Sequence, residues 1–333
     1  MKSITIVFPE ARRVELIEEQ VPDPPAGKVI VRMTVSLMST GTESFCYRGE
    51  FDEQTNWSNW VKYPFYPGYS GVGTVVKIGP DVTGVREGDA VFCGGAHRQY
   101  SLRPADRIVV IPDGIGHEDA SWSALSNIAQ TAVRRAEHAM GETAVVIGLG
   151  PIGQLVTQYL NVVGLREILA VDTVSMRLQW ASEHGATRSF CGSASEAKQF
   201  VADHTGGVLA DAVYDATGHW SVFPDALRMV RDFGRVVLVG DTPHPSRQHL
   251  SHDVMMRQLT VLGTHNAKLQ PRHAWWTEPR QIELFQTYVR RGQLRVGDLI
   301  THRHPPEAAP QVYEQLQQDR SQTLGILFDW RGL

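Results

Sequence analysis

The sequence predicts an α/β protein in which a doubly wound parallel sheet is joined to a discontinuous β-rich domain. An apolar run that starts at Ala144 enters a Gly-x-Gly-x-x-Gly turn ending at Gly153, and an apolar helical pattern follows over Ile152–Val163. A second apolar run, Glu167–Asp172, ends in a carboxylate. More apolar runs then alternate with helix-like segments, which indicates parallel strands covered on both faces. These later runs are 212–216, 235–239 and 259–262.

The glycine turn is typical of a site that holds a dinucleotide pyrophosphate. Gly148 permits the turn, Gly150 lets the backbone approach the phosphates, and Gly153 lets the helix pack closely on the strand. Pro151 and Ile152 open the helix, whose N-terminus offers unpaired N–H groups and a positive dipole end to an anion. A chance strand-to-helix turn is the alternative, and the surrounding strand pattern favours the cofactor site.

Asp172 is predicted to select the cofactor. It lies 19 residues after Gly153, at the distance expected for the acid that contacts the adenosine ribose. A carboxylate accepts hydrogen bonds from the ribose diol and repels a 2′-phosphate, which favours NAD over NADP. A cap for the following helix is the alternative role. The carboxyl ends of other strands also line a dinucleotide crevice, and they add the candidates Thr217, Gly218, Gly240 and Thr264.

The domain boundaries follow from the change in pattern along the chain. The dinucleotide-binding domain is predicted over residues 123–266, and it is entered through a helical pattern at 119–140. Before it, short strand patterns are separated by glycine and proline turns, with an aromatic loop at 51–67. After it, the strand–helix alternation ends. The tail is therefore expected to complete the first domain, which would combine residues 1–122 with residues 267–333.

Composition describes an ordinary globular protein. The formal net charge of −4 gives no signal for binding nucleic acid or an anionic membrane. No apolar run approaches the roughly 20 residues that span a bilayer, and the N-terminus lacks the layout of a signal peptide. The three cysteines, Cys46, Cys93 and Cys191, are widely spaced, as in reduced cytosolic proteins. These features predict a cytoplasmic protein whose partner is a small molecule.

The chain resembles the medium-chain dehydrogenase/reductase superfamily, the relatives of alcohol dehydrogenase, over essentially its whole length. The motifs that carry the resemblance are Gly68-Tyr-Ser-Gly-Val-Gly, Val85-Arg-Glu-Gly-Asp-Ala-Val, Ala132-Val-Arg-Arg-Ala, Gly148–Gly153 and Asp172 with Arg177. The resemblance implies a GroES-like, twisted-barrel catalytic domain, a Rossmann domain, hydride transfer in the cleft between them, and a homodimer. It also implies that Arg177 lies beside the adenosine ribose and that Thr131 lies behind the nicotinamide ring.

The sequence departs from the zinc-dependent members of this family. Their Cys-x-Thr/Ser-Asp motif is similar to the stretch Thr40-Gly-Thr-Glu43, and their Gly-His-Glu motif is similar to Gly68-Tyr-Ser70. The third ligand position, near Leu125–Asn127, holds no Cys, His or acid, and no CxxC occurs. Hydroxyls and a phenol cannot replace thiolate and imidazole around zinc, so no metal is expected. A rebuilt site that uses His97 and Cys93 is the alternative.

The sequences of Ser39–Glu43 and Pro67–Tyr69 are similar to those of the branch that includes bacteriochlorophyllide hydroxyethyl dehydrogenase and several biosynthetic secondary-alcohol dehydrogenases. Without zinc, hydrogen-bond donors and a proton relay must stabilise the developing alkoxide. Five residues are candidates for this chemistry: Thr42 as first contact to the substrate oxygen, Tyr69 as donor, Thr40 as a filler of vacated space, Glu43 as base or loop-ordering acid, and His97 as relay to water. The alternatives are a turn hydroxyl for Thr42, a packing ring for Tyr69, and a surface or structural histidine for His97.

These predictions combine into a functional hypothesis. We expect an NAD(H)-dependent, zinc-independent enzyme that interconverts a secondary alcohol and a ketone on a medium-sized biosynthetic metabolite. Two aromatic pairs, Trp57 with Trp60 and Trp275 with Trp276, either pack in the core or cover an apolar or ring-bearing substrate. The alternatives are a quinone or enone reductase that uses NAD(P)H, and a dinucleotide-binding protein without turnover.

Overall fold

The computed structural model describes residues 1–333 and separates into two compact units. The first unit comprises residues 1–50, 56–125 and 277–333, and the second comprises residues 51–55 and 126–276. The sequence placed residues 267–276 with the first unit. In the structure they group with the second, because Arg272 pairs with Glu137 and the Arg134 guanidinium lies over the Trp276 ring.

The N-terminal part of the first unit is built from short strands, as the alternating pattern predicts. Its elements are β1 Lys2–Val7, β2 Glu15–Gln20, β3 Lys28–Met38, α1 Thr40–Arg48, α2 Asn56–Trp60, β4 Gly71–Ile78, β5 Ala90–Cys93, β6 Tyr100–Pro104, β7 Ile108–Val110 and α3 His117–Ala120. The short helix α2 lies in the segment that the sequence predicted to be a loop. It forms there because Trp57 is 5% exposed and packs edge-on against Phe45.

The second unit is a doubly wound parallel sheet, which confirms the predicted fold class. Its elements are α4 Ser123–Ala136, β8 Thr143–Ile147, α5 Pro151–Val163, β9 Glu167–Asp172, α6 Ser175–Glu183, β10 Arg188–Cys191, α7 Ala197–His204, β11 Ala210–Asp215, α8 Val222–Met229, β12 Val230–Leu238, α9 Asp253–Met256 and β13 Thr260–Gly263. The strand order is β10-β9-β8-β11-β12-β13, and every neighbouring pair is parallel. All six carboxyl ends therefore lie on one edge.

The chain then returns to the first unit, so the predicted discontinuous β-rich unit is observed. The remaining elements are α10 Glu278–Arg290, β14 Ile300–His304, α11 Ala309–Gln318 and β15 Gly325–Asp329. The last strand, β15, pairs antiparallel with β3, and this pairing places the C-terminal segment in a seven-stranded sheet of order β14-β15-β3-β4-β5-β7, with β6 also on β3. Trp330 is fully buried beside this strand.

One further local prediction was wrong. The single helix predicted over 119–140 is broken into α3 and α4, because Ser121 and Ser123 hydroxyls bond to the carbonyls of Glu118 and Ala120. The edge strand β10 and the helix α7 gave no clear apolar signal, since β10 is largely exposed. None of the helices combines the length and the apolar character that crossing a membrane requires.

Candidate functional site

The turn between β8 and α5 has the geometry that its three glycines allow. Gly148 has φ +85°, a left-handed conformation that favours glycine. A Cβ at Gly153 would lie 1.9 Å from the Gly148 carbonyl oxygen, so the first turn of α5 touches the end of β8. A side chain at Gly153 would push the helix away from the strand.

Gly150 faces open space, and it marks where a ligand can approach. A Cβ built there would meet no atom within 4 Å, although the residue lies between two crowded glycines. Gly150 is the N-cap of α5, has no side-chain cap, and is followed by Pro151 at the start of the helix. The backbone N–H groups of the first turn, beginning with Ile152, therefore point to this space and suit an anion such as a pyrophosphate.

Asp172 lies at the carboxyl end of β9, beside the glycine turn. Its Oδ2 accepts a hydrogen bond from the Leu149 N–H at 2.6 Å, and its Oδ1 accepts one from Val174 N–H at 2.8 Å. These bonds fix the carboxylate, which is 7% exposed, and leave each oxygen further acceptor capacity. The Arg177 carbonyl on α6 accepts a bond from the Gln154 amide, which ties α6 to α5. The carboxylate is thus held in one position at the carboxyl end of β9.

The other predicted cofactor residues lie at the same edge of the sheet. Thr217 follows β11, and its hydroxyl donates to Asp215 at 2.6 Å. Burial raises the pKa of Asp215, while the hydrogen bonds from Thr217 oppose that rise. Gly218 and Gly240 are in close approach, since a Cβ at Gly240 would lie 2.3 Å from the Gly218 nitrogen.

Thr131 and Thr264 line the same cavity in the second unit. The Thr264 hydroxyl donates to the Leu238 carbonyl at 2.7 Å, and the Thr131 hydroxyl donates to the Asn127 carbonyl at 2.9 Å. Both threonines line one cavity of about 210 Å³. Taken with the open glycine turn and the fixed Asp172 carboxylate, the residues of this edge fit a nicotinamide dinucleotide.

The first unit brings three hydroxyl groups together at the start of α1. The Tyr69 hydroxyl donates to Ser39 Oγ at 2.5 Å, and it also shares a hydrogen bond with Thr42. Burial raises the pKa of Tyr69 to about 12, although the bonds with Ser39 and Thr42 act in the opposite direction. The phenol therefore stays protonated at neutral pH. Thr40 is 7% exposed and begins α1, where its carbonyl accepts the Ser44 hydroxyl at 2.6 Å.

Glu43 is the centre of a buried polar chain behind these hydroxyls. Its Oε1 accepts the Ser39 N–H at 2.8 Å, and its Oε2 lies 3.0 Å from His97 Nε2. The Tyr313 hydroxyl from α11 donates to the same Oε2 at 2.5 Å. Because Glu43 is 1% exposed and holds the backbone of Ser39, it orders the loop that presents the hydroxyl cluster.

His97 takes the structural position that the sequence left open as an alternative to a proton relay. Its side chain is 0% exposed, with Nδ1 2.7 Å from Ser36 Oγ and Nε2 on Glu43. Trp330 Nε1 donates to the same Ser36 hydroxyl at 2.9 Å. Both ring nitrogens are thus engaged inside the protein, and the ring cannot pass a proton directly to water.

The residues at the family's zinc-ligand positions do not fit zinc. Tyr69 and Thr40 offer a phenol and a hydroxyl, and Asn127 offers an amide, whereas zinc prefers thiolate, imidazole and carboxylate. No group of three or more His, Cys, Asp or Glu side chains is placed to hold a metal ion. Cys93, the other half of the alternative site, lies 3.6 Å from the Met33 sulfur, and burial raises the pKa of its thiol to about 12.

Sequence reasoning missed four members of this polar cluster: Ser36, Ser39, Tyr313 and Trp330. Ser39 precedes the predicted motif by one residue and carried a detectable signal as a hydroxyl next to Thr40. Tyr313 is separated from Glu43 by 270 residues, and Trp330 from Ser36 by 294. The pairing of β15 with β3 brings Trp330 to Ser36, and α11 brings Tyr313 to Glu43 on α1. No local pattern could have identified contacts between such distant parts of the chain.

The four tryptophans differ in how much of their surface is exposed. Trp57 is buried, while Trp60 is 47% exposed and packs edge-on against Phe65. In the second unit, Trp275 is 60% exposed and Trp276 lies edge-on to it at 4.8 Å. Trp57 therefore serves packing, whereas Trp275 presents a large apolar surface.

The two units define a class of architecture, in which a β-rich unit is combined with a Rossmann-like unit. Residues 25–113 match the alcohol dehydrogenase GroES-like domain, and residues 151–278 match the zinc-binding dehydrogenase family. Together the two matches cover more than half of the chain. The chain belongs to the zinc-type alcohol dehydrogenase-like, or medium-chain dehydrogenase/reductase, superfamily.

Individual relatives support the same class. L-threonine 3-dehydrogenase from Bacillus licheniformis is 27% identical over 74% of this chain and 77% of its own length. Erythritol/L-threitol dehydrogenase from Mycolicibacterium smegmatis is 30% identical over 63% of this chain and 56% of its own length. The crystal structure of the Escherichia coli CFT073 alcohol dehydrogenase RspB, complexed with NADH, superposes with a TM-score of 0.82 at 20% identity, over 98% of this chain and 99% of that one.

Proposed function

We propose that this protein is an NAD(H)-dependent dehydrogenase that interconverts a secondary alcohol and a ketone on a medium-sized biosynthetic metabolite, and that it does so without zinc. The observation that carries the proposal is the hydroxyl cluster of Tyr69, Ser39 and Thr42. Tyr69 stands at the position where zinc-dependent relatives keep a histidine ligand, and Ser39 and Thr42 lie on either side of Thr40, which stands where they keep a cysteine ligand. The relatives named above are dehydrogenases of alcohols, which supports the reaction class.

The cluster offers the chemistry that a ketone oxygen needs during reduction. The bound dinucleotide supplies the hydride. The developing alkoxide then requires a hydrogen-bond donor and a proton. Tyr69 can donate because its pKa is about 12, so its proton is present at neutral pH. Ser39 and Thr42 are bonded to the phenol and can re-orient to replace that proton, and Glu43 holds the Ser39 backbone.

The preference for NAD is supported by Asp172. The carboxylate is held by two backbone N–H groups, so it cannot swing away from a 2′-phosphate. A negative charge fixed at the ribose position repels the extra phosphate of NADP. Both hydrogen-bond donors to this carboxylate are neutral backbone N–H groups, so they do not cancel its negative charge.

The proposal is tested by following the hydride. Purified protein, dialysed against a chelator, is incubated with deuterium-labelled NADH and a panel of ketones, quinones and enones. We expect deuterium on the carbinol carbon of at least one ketone, with zinc far below one atom per chain by mass spectrometry. If the protein holds about one zinc atom per chain and loses its activity when the chelator removes that zinc, the zinc-free mechanism is refuted. Label on an enone β-carbon would indicate an enone reductase, and NADH binding without transfer to any acceptor would indicate a binding protein.

We also propose a homodimer paired through the edge of the parallel sheet. β13 is one edge strand, and Val261 on it is 36% exposed. Apolar side chains on α9 lie just before this strand in the chain, with Met255 78% and Met256 70% exposed. An unpaired strand edge flanked by exposed apolar groups favours pairing with a second copy.

A further inference from the structure

A basic cavity lies in the dinucleotide-binding unit at the carboxyl end of β13. It has a volume of about 210 Å³ and is formed by α4 and by the chain that follows β13. Its basic and hydroxyl side chains are those of Thr131, Arg134, Arg135, Thr264, His265, Lys268 and His273. No Asp or Glu lines it, although the Glu137 carboxylate lies 3.5 Å from Nε2 of His273.

The charge on this lining is unusual for a protein whose net charge is −4. Arg134 and Arg135 are neighbours on α4, and Lys268 comes from a separate segment. Three permanent cations around one small space repel one another, and this repulsion lowers stability unless an anion is bound between them. A cavity that collects cations without an acid is therefore suited to an anion.

The two guanidinium groups are held in place rather than extended into solvent. The Arg134 guanidinium carbon lies 3.9 Å from the centre of the Trp276 ring, a cation–π contact. With the Gln270 amide oriented so that its oxygen faces Arg135, that oxygen accepts bonds from Nε at 3.3 Å and from a terminal nitrogen at 3.1 Å. Two oriented, planar guanidinium groups match the oxygen atoms of a carboxylate or a phosphate.

The position of the cavity separates it from the phosphates of the cofactor. The expected pyrophosphate site is the glycine turn that follows β8, and the expected ribose contact is Asp172 at the end of β9. β13 lies on the other side of β8 from β9, three strands away in the sheet. The cavity shares Thr131 and Thr264 with the residues expected near the nicotinamide. It therefore lies on the side of the sheet where the substrate, rather than adenosine, is expected.

We propose that this cavity binds an anionic group of the substrate, a carboxylate or a phosphate, and so orients the substrate. This inference rests on the proposed dehydrogenase function. The volume is below the roughly 300–1,000 Å³ of pockets that enclose a whole small molecule, so the cavity takes one charged group. The remainder of the substrate extends beyond it.

The anion site is tested first by binding, which requires no turnover. Inorganic phosphate is titrated into the full-length protein at constant ionic strength, with and without saturating NADH, and followed by ³¹P NMR. Arg135→Gln and Lys268→Gln are each expected to weaken phosphate binding by roughly tenfold, the loss of one charge-assisted hydrogen bond. Lys198→Gln, which removes an exposed cation from α7, is the matched control and should leave binding unchanged. Equal phosphate affinity in all four proteins would overturn the site.

The assignment to substrate is tested by a pair of ketones that differ only in a carboxylate and its methyl ester. The wild type should prefer the carboxylate in kcat/KM, and Arg135→Gln and Lys268→Gln should reduce this preference by roughly tenfold, whereas Lys198→Gln should leave it unchanged. A preference that is the same in all variants would overturn the assignment. If neither ketone accepts deuterium from NADH, the proposed function has failed, and the phosphate titration still decides whether the cavity is an anion site.

Discussion

Tyr69 is the residue whose hydroxyl group should matter most to turnover. Tyr69→Phe removes the phenolic proton and its bond to Ser39 Oγ but keeps the ring. We expect kcat to fall by roughly 10²-fold, the usual contribution of one positioned proton donor, with the Kd for NADH unchanged. Tyr66→Phe is the matched control, because that hydroxyl bonds to Glu19 near the surface. Full turnover by Tyr69→Phe on the true substrate would remove the phenol from the mechanism.

Asp172 should decide between the two nicotinamide cofactors. Asp172→Ala deletes the charge that repels a 2′-phosphate and the acceptors for the ribose diol, so NADH should bind roughly tenfold more weakly. NADPH should be affected less, and the ratio of the two dissociation constants, measured by fluorescence titration, should narrow. Asp203→Ala removes an exposed carboxylate from α7 and serves as the control. An unchanged NADH/NADPH ratio would refute the ribose assignment.

At the scale of elements, two glycines of the turn between β8 and α5 have different functions: Gly153 allows the helix to pack on the strand, and Gly150 leaves space for a ligand. Gly153→Ala places a Cβ 1.9 Å from the Gly148 carbonyl oxygen, so the helix must shift, and we expect a loss of about 1–3 kcal/mol in the free energy of unfolding. Gly150→Ala meets no atom, so it should keep stability but weaken NADH binding, because its methyl group occupies space needed by the phosphates. Gly332→Ala, also in open space, is the control for both measurements. Equal effects of the two turn variants on stability would contradict this division.

The elements also show which parts of the structure a sequence can predict. β8, α5 and β9 were predicted because each has a strong local signal: an apolar run, a glycine turn, a terminal carboxylate. α2 and β10 were missed because one is five residues long and the other is an exposed edge. The polar chain of Glu43, Tyr313 and Trp330 depends on a strand pairing between distant parts of the chain, and local periodicity carries no information about such pairings.

The same distinction applies to His97. The sequence placed an imidazole near a strand entry but could not determine its surroundings. Folding encloses it between Ser36 and Glu43, so a residue whose surroundings the sequence left open becomes part of the buried network around Glu43. The hydroxyls of Tyr69 and Thr42, by contrast, were predicted from motif positions, and the structure brings them together.

At the scale of the whole molecule, acid should destabilise the fold through buried histidines. The His138 side chain is 1% exposed, with Nε2 on the Tyr214 hydroxyl and the Arg235 guanidinium 3.0 Å from Nδ1. Burial lowers its pKa, and Arg235 acts in the same direction, although Glu142 opposes the shift. The unfolded chain takes up the proton near pH 6.5, whereas the folded chain takes it up only at lower pH.

Stability should therefore fall as the pH drops below about 6.5, with a contribution from His138 of at most about 1.4 kcal/mol per pH unit. Denaturant unfolding between pH 7.5 and 5.5 measures this slope. His138→Gln should flatten it, whereas His249→Gln, which alters an exposed ring, should not. If the variant His138→Gln has the same slope as the wild type, other groups cause the acid sensitivity. His117 and His304 are then the candidates, because burial also lowers their pKa values.

The proposed homodimer makes a prediction about the mass of the particle in solution. Light scattering should give about twice the chain mass of 37.0 kDa if β13 pairs with a second copy. Val261→Lys places a charge on that exposed edge, and a lysine there must lose its hydration to be covered, so the mass should fall toward that of one chain. Ser189→Lys makes the same change on β10, the opposite edge of the sheet, and should leave the dimer intact. If Ser189→Lys alone dissociates the dimer, the interface lies at β10. A mass of one chain for the wild type would refute the dimer. The proposed dinucleotide site would be unaffected by that result, because all of its residues lie within one unit of one chain.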